Sequence, residues 1–237
     1  SIGANVYFYV PNRNALKQSM LLDALNYALQ NRCTLMITVD CGITAAKEIE
    51  QVVKYDVDVI VTDHHEPTAK IPHCIATLNP KLVINSYPNR DITGVGVAFK
   101  LAHALTNHFA ATNQPLFKKI TLKRYLDLVA LGTIADMGSL KGENRVLVRY
   151  GLRQLRKTRR VGLLKLFTVC DLEAAEITTA DIASKVAPRL NSLGRVAEPR
   201  KGVELLLIRD PQAAENLAKE LDLFNTERQK IEQVVSE

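Results

Sequence analysis

Two short β-branched runs, Ile37-Thr-Val-Asp-Cys-Gly-Ile-Thr44 and Val59-Ile-Val-Thr-Asp-His-His65, each stop abruptly in a cluster of polar and ionisable residues. Such a run reads as a parallel strand buried in a sheet. In an open α/β sheet, ligands gather outside the carboxyl ends of the strands. The first run delivers Asp40 to that edge, and the second delivers Asp63, His64 and His65. A further carboxylate, Asp136, follows the apolar run from Leu126 to Ala135. Carboxylates with one or two imidazoles and no neighbouring cysteine pair suit a hard or borderline divalent ion such as Mn2+ or Mg2+ better than a structural zinc. Metal-assisted hydrolysis is the chemistry these residue types suggest. Taken singly, an Asp at a strand end is also a good turn former or helix cap, and a histidine also serves structural roles.

The pattern around these runs sets the fold class. Val6 to Val10 reads as a strand stopped by Pro11-Asn12, and Ser19 to Leu29 carries apolar residues at helical spacing. Leu35 to Val39 is the next strand, a helix runs from an N-cap at Thr44 to about Tyr55, and Val57 to Thr62 is a third strand. Strands alternating with helices imply parallel strands joined by right-handed crossovers. Cys74 to Leu78 is one more short strand, and Gly94 to Leu105 turns helical past its two glycines. That Gly-Val-Gly either brings backbone N–H groups to a phosphate at a helix N-terminus or allows tight helix packing. Helices are then predicted over Leu122 to Ala135, Asn144 to Arg156, Val161 to Val169, Val203 to Ile208, and from Pro211 to the end. The fold expected is α/β, a parallel β-sheet flanked by helices over about residues 1–110, a mainly helical part over 111–209, and a long connecting helix over 210–237.

Composition narrows the function. With 47% hydrophobic residues in 237, the chain can bury a substantial core, and no apolar run is long enough to cross a membrane. The opening shows no signal-peptide pattern, so a cytoplasmic location is expected. Cys33, Cys41, Cys74 and Cys170 lie far apart, which predicts reduced, mostly buried thiols. A formal charge of +6 favours an anionic partner. Two basic segments stand out, Lys118 to Arg124 and Arg153 to Arg160, each either a solvated face or a nucleic-acid contact. The absence of Trp argues against a surface built mainly of base-stacking platforms.

Asp40-Cys-Gly-Ile-Thr44, Asp63-His-His65 and Ala135-Asp136 fall in the order and spacing of the DHH phosphoesterase superfamily. Asn79-Pro80, Thr93 to Ala102, Leu131 to Asp136, Ala187-Pro-Arg-Leu-Asn191 and Gly194-Arg195 further resemble its RecJ family of single-stranded-DNA exonucleases, over nearly the whole chain. The resemblance implies a manganese- or magnesium-dependent enzyme that removes nucleotides from the 5′ end of single-stranded DNA in repair and recombination. It implies that Asp40 bridges two ions, that His64 and Asp136 complete the shell of one, and that His65 faces the scissile phosphate. Asp63 is expected to orient a histidine or a loop rather than to bind metal. Arg195 stands beside Asn191 and Gly194, which resemble the family's nucleotide-contacting loop, Arg189 in Ala-Pro-Arg either grips a phosphate or forms a structural salt bridge, and Arg156, Arg159 and Arg160 are candidates for the DNA backbone.

The family's first, aspartate-rich motif and its glycine- and histidine-containing small-domain motif have no counterpart here, so a core fragment of a longer protein is expected. Such a fragment would hold at most one ion, loosely, because the second would have Asp40 and solvent alone. Two other readings remain open. One is a DHH phosphatase or nuclease for short oligonucleotides or nucleoside bisphosphates. The other is a non-catalytic scaffold that binds DNA or replication and repair proteins.

Overall fold

A computed structural model describes residues 4–11, 20–84, 86–112, 120–196 and 198–236, with only the backbone described at 194–196, 232 and 234–236. Its centre is a parallel sheet in the order β1-β2-β3, formed by Leu35–Val39, Asp58–Thr62 and Ala76–Leu78. The register pairs Val39 with Thr62 and Thr62 with Leu78, so the strands end together at one edge. Backbone bonds extend the ladders one residue further, from Asp40 N–H to the Thr62 carbonyl at 2.9 Å and from Asp63 N–H to the Leu78 carbonyl at 3.0 Å.

Helices α1 (Met20–Gln30) and α2 (Ala46–Val53) close one face of the sheet, with Leu25, Ile49 and Val52 packed on Val57, Val59 and Val61. Helix α3 (Gly94–Ala111) touches β1 and β2. Past it, a 3-10 turn (Leu122–Tyr125) opens α4 (Leu126–Ala135), which packs along α5 (Gly142–Leu155). Ile92, Val97, Val129 and Leu147 join this pair to the sheet half. Helix α6 (Val161–Val169) and a π-helical stretch (Ile182–Val186) leading into α7 (Ala187–Val196) follow. Helices α8 (Arg200–Leu207) and α9 (Pro211–Ser236) complete the helical half, whose core includes Leu155, Leu163, Phe167, Leu193 and Leu221. Asp210 caps α9 through its carboxylate on the Ala213 N–H at 2.7 Å, just before Pro211 in the first turn, where a missing N–H costs nothing.

Several expectations are corrected. Val6 to Val10 belongs to no strand. Its aromatic residues pack sideways instead, Tyr9 on Tyr27 with ring centroids 5.6 Å apart and Phe8 beneath the Arg200 guanidinium at 5.0 Å. Strand β1 is buried on one face only: Leu35, Ile37 and Val39 are about half exposed, while Thr38 points into the core. An apolar run does not reveal whether a second layer covers both faces. Helix α2 starts at Ala46 rather than at a Thr44 cap, because Thr44 still lies in the turn made by Gly42 (φ +108°). Of the four cysteines only Cys170 is buried, and Cys41 is exposed at the carboxyl edge of the sheet.

Candidate metal centre

The carboxyl edge of the sheet brings together residues that lie far apart in the chain. Asp40, one step past β1, adopts φ +61°, a left-handed conformation that Asp tolerates better than most residues and that swings its carboxylate over the edge. The sharp turn behind it is held by Thr38, whose hydroxyl donates to the Cys41 carbonyl at 2.8 Å. His64 Nε2 lies 3.0 Å from Asp40 Oδ1 and 3.6 Å from Asp136 Oδ2. Asp136 caps the end of α4 and is followed by Met137, also left-handed at φ +53°. Ligand atoms of Asp40, His64 and His65 all fall within 4.8 Å of one another.

Asp63 is the hub beneath them, with a side chain only 2% exposed. One carboxylate oxygen accepts from the Ile43 N–H at 2.9 Å, and the other accepts from the His64 N–H and from His65 Nδ1, both at 2.7 Å, and from the His65 N–H at 3.2 Å. Burial alone would raise its pKa, but these bonds outweigh burial and hold the carboxyl below its ordinary value. An ionised Asp63 only accepts, so Nδ1 of His65 carries the proton on that side and Nε2 faces outward. His65 is in turn fixed by Asn79, whose Nδ2 donates to the His65 carbonyl at 2.9 Å.

Charge at the site is frustrated in a way that a cation would relieve. Burial, aided by the nearby Asp40 charge, raises the Asp136 pKa, and the Asp40 carboxylate raises that of His64. His64 Nε2, a buried atom, is in ion-pair contact with two carboxylate oxygens at once, in poor alignment for an ordinary hydrogen bond. A nitrogen and two carboxylate oxygens that converge without hydrogen-bond alignment are a donor set for a divalent ion with N/O preference. The residues present therefore fit such an ion.

The second layer was only partly legible in the sequence. A Cβ at Gly94 would collide with Oδ1 of Asp40 and sit 2.7 Å from its Cγ, so this glycine lets α3 start against the Asp40 side chain. Gly96 lies against Ile92 in the same manner, so both glycines serve close packing. Thr93 and Thr133 share a hydroxyl bond at 3.0 Å. Asn144, fully buried, donates from Nδ2 to the Asp91 carbonyl at 2.8 Å and the Ser139 carbonyl at 3.0 Å, tying the loop before α3 to the loop after Asp136. Nothing in the local pattern singled out Asn144, because its two partners lie on separate loops.

The arginines fall into distinct groups. Arg189 is engaged through Nε to Asp222 at 2.7 Å and through Nη1 to the Lys185 carbonyl at 2.8 Å, joining α7 to α9. Asn191 lines an open cavity of about 310 Å³ beside Met137, with Ala187, Pro188 and Arg228. The side chain of Arg195 lies outside the described residues, as do Lys118 and Lys119. Arg156 donates through Nε to the Ile177 carbonyl at 3.0 Å, and Arg159 is exposed. Arg160 is engaged within the fold: its Nε pairs at 2.8 Å with Asp127, a carboxylate whose side chain is 5% exposed. A run of like charge hides such a partner when it comes from another helix. Arg160→Ala is expected to lower stability by about 2 kcal/mol, because it takes the cation from a buried carboxylate and leaves it, among the described residues, only the Leu128 N–H and the Thr158 hydroxyl. Arg159→Ala should stay within about 0.5 kcal/mol of the parent. Chemical denaturation separates the two, and an Arg160→Ala protein as stable as its parent would return that residue to the DNA surface.

With this geometry in place, the likeness to known proteins becomes specific. Residues 1–133 match the model of the DHH family, N-terminal domain. The chain belongs to the DHH family. This DHH chain is 38% identical over 230 residues to the single-stranded-DNA-specific exonuclease RecJ of Bacillus subtilis, covering 97% of the chain and 28% of the relative. It is 35% identical to RecJ of Escherichia coli, covering 97% of the chain and 41% of that protein. Among solved structures, a crystal structure of exonuclease RecJ bound to manganese superposes with a TM-score of 0.84 at 33% identity, covering 98% of this chain and 57% of the other. RecJ of Thermus thermophilus in complex with Mn2+ gives 0.78 at 33% identity, over 90% of this chain and 31% of the other. The DHH chain thus spans less than half the length of these curated relatives.

Proposed function

We propose that the full-length protein is a divalent-metal-dependent exonuclease that hydrolyses phosphodiester bonds of single-stranded DNA from the 5′ end. The observation that carries this reading is the convergence of Asp40, His64 and Asp136 at the carboxyl edge of the sheet, with His64 Nε2 in ion-pair contact with both carboxylates. Relatives named as single-stranded-DNA-specific exonucleases, and RecJ structures with Mn2+ or Mg2+, support the substrate and the metal. Asp40, His64 and Asp136 would hold Mn2+ or Mg2+, and the bound ion would supply Lewis-acid activation of water and charge neutralisation at the phosphate. The chain's own residues do the rest. Asp63 orients both histidines, and His65, locked through Nδ1 and with a side chain 57% exposed, presents Nε2 toward a phosphate oxygen. DNA repair and recombination in the cytoplasm, alongside other DNA-processing proteins, is the setting that fits such an activity.

The test is a Mn2+-dependent assay of the full-length protein on end-labelled strands. Release of mononucleotides from the 5′ end of single strands, with duplex left largely intact, is the expected result. Equal digestion of both, or turnover of dinucleotides only, would overturn the single-strand reading in favour of a short-substrate phosphoesterase.

A further inference from the structure

We propose that the outer face of α5 is a track for the phosphodiester backbone, built on the arginine row Arg145, Arg149 and Arg153. The inference rests on the single-stranded-DNA reading and adds to it the surface along which the strand leaves the site. The three arginines recur every fourth residue, which places them on one face of the helix. The opposite face, with Asn144, Leu147, Val148, Gly151 and Leu155, is buried against the rest of the helical half. All three arginines are exposed.

Their electrostatic setting is unusual. Among the described residues no carboxylate lies within ion-pair distance of any of the three, and the nearby acids are taken: Glu143 by Lys100 and Tyr87, Asp127 by Arg160. Like charges four residues apart destabilise a helix, and a merely solvated face relieves this by interleaving glutamates. Here the repulsion is left standing, which is the arrangement a bound polyanion would offset.

Between the arginines sit Tyr150, 46% exposed, and Val146, 53% exposed. The Arg153 guanidinium lies 5.2 Å over the Tyr150 ring, so a flat aromatic surface stands beside the charge, as base stacking requires. An acidic protein segment would use the charge but has no need of the ring. The row also starts in the right place. Asn144, at the beginning of α5, is bonded to the loop that follows Asp136, so Arg145 stands at the site end of the helix and Arg153 about 12 Å further along its axis.

The experiment compares the full-length protein with its R145Q/R149Q/R153Q variant, using fluorescence anisotropy of a labelled single strand between 50 and 200 mM salt. Single-strand binding falls with salt by a log–log slope of about 0.7 per neutralised phosphate. Loss of three contacts should reduce the slope by about 2, so that the parent's advantage shrinks about 20-fold across that range. Mn2+ affinity should stay at the parent value, and the melting temperature should not fall. Tyr150→Ala should weaken binding several-fold at every salt concentration with the slope unchanged. A triple variant with the parent's slope overturns the track. So does one that keeps its DNA slope but loses affinity for an Asp/Glu-rich peptide probe, which would assign the face to an acidic protein. A parent that binds strands but hydrolyses none with Mn2+ would instead overturn the exonuclease reading, so the two failures are distinguishable.

Discussion

Asp40→Asn in the full-length protein is expected to abolish metal-dependent hydrolysis of single-stranded DNA and to weaken Mn2+ binding by more than about 10²-fold. The bound on affinity follows from comparison: losing a residue that merely orients a ligand costs ~10–100-fold, and Asp40 is proposed as a ligand itself. Asparagine is the informative replacement because it keeps the size of the side chain and tolerates the φ of +61° found here. Alanine would add about 1 kcal/mol of backbone strain and confuse the reading. Asp40 is half exposed, and removing its charge relieves repulsion with Asp136 while losing attraction to His64, so the melting temperature should stay close to that of the parent. Calorimetric titration with Mn2+ and a 5′-exonuclease assay read the two effects. An Asp40→Asn protein that digests strands at the parent rate would remove Asp40 from the metal centre and with it the donor set as drawn.

How much of this was legible in the sequence depends on the range of the interaction that decides each feature. The strands Leu35–Val39 and Asp58–Thr62 were readable because β-branched runs bounded by turn residues carry their own signal, and their shared polar ends pointed to the site edge. The Gly94 helix, α5 and the start of α9 were readable from helical periodicity and, for α9, from Pro211. Helix α7 was not, because Pro188 and Gly194 look like breaks; Pro188 sits instead in the first turn, and the π-helical stretch before it supplies the entry. Val6 to Val10 has strand composition but no strand partner among the described residues, and composition cannot supply one.

Site residues divide along the same line. Asp40, His64 and Asp136 announce themselves by chemistry at element ends. Gly94, Asn144 and the Asp127–Arg160 pair act across 33 to 54 residues of sequence, and only the fold brings each to its partner. The arginine row on α5 lies between these cases. Its four-residue spacing was in the sequence, but the lack of carboxylate partners, which makes it a candidate ligand surface, is a property of the fold.

The largest effect of a residue with no ligand atom of its own is expected at Gly94. A methyl group there would collide with the Asp40 carboxylate, 2.7 Å from its Cγ, where carbon atoms ordinarily stay ~3.5–4.0 Å apart. The helix start cannot retreat cheaply, since Thr93 is buried and bonded to Thr133, and Thr93 also packs against Gly138. Asp40, half exposed at the edge, is the part that gives, by about 1 Å. A misplacement of about 1 Å in a catalytic constellation costs ~10²-fold in rate, so Gly94→Ala should lose about that much turnover while the protein stays folded. Gly96→Ala is the matched control: its methyl would meet the buried Ile92 side chain, with no metal ligand among its nearest atoms, and the cost of overpacking should appear in melting temperature rather than in turnover. Parallel assays of the two variants, with Mn2+ titration of each, decide between steric displacement of a ligand and general damage to α3. Equal losses of activity from both would mean that the helix, not Asp40, is what Gly94 protects.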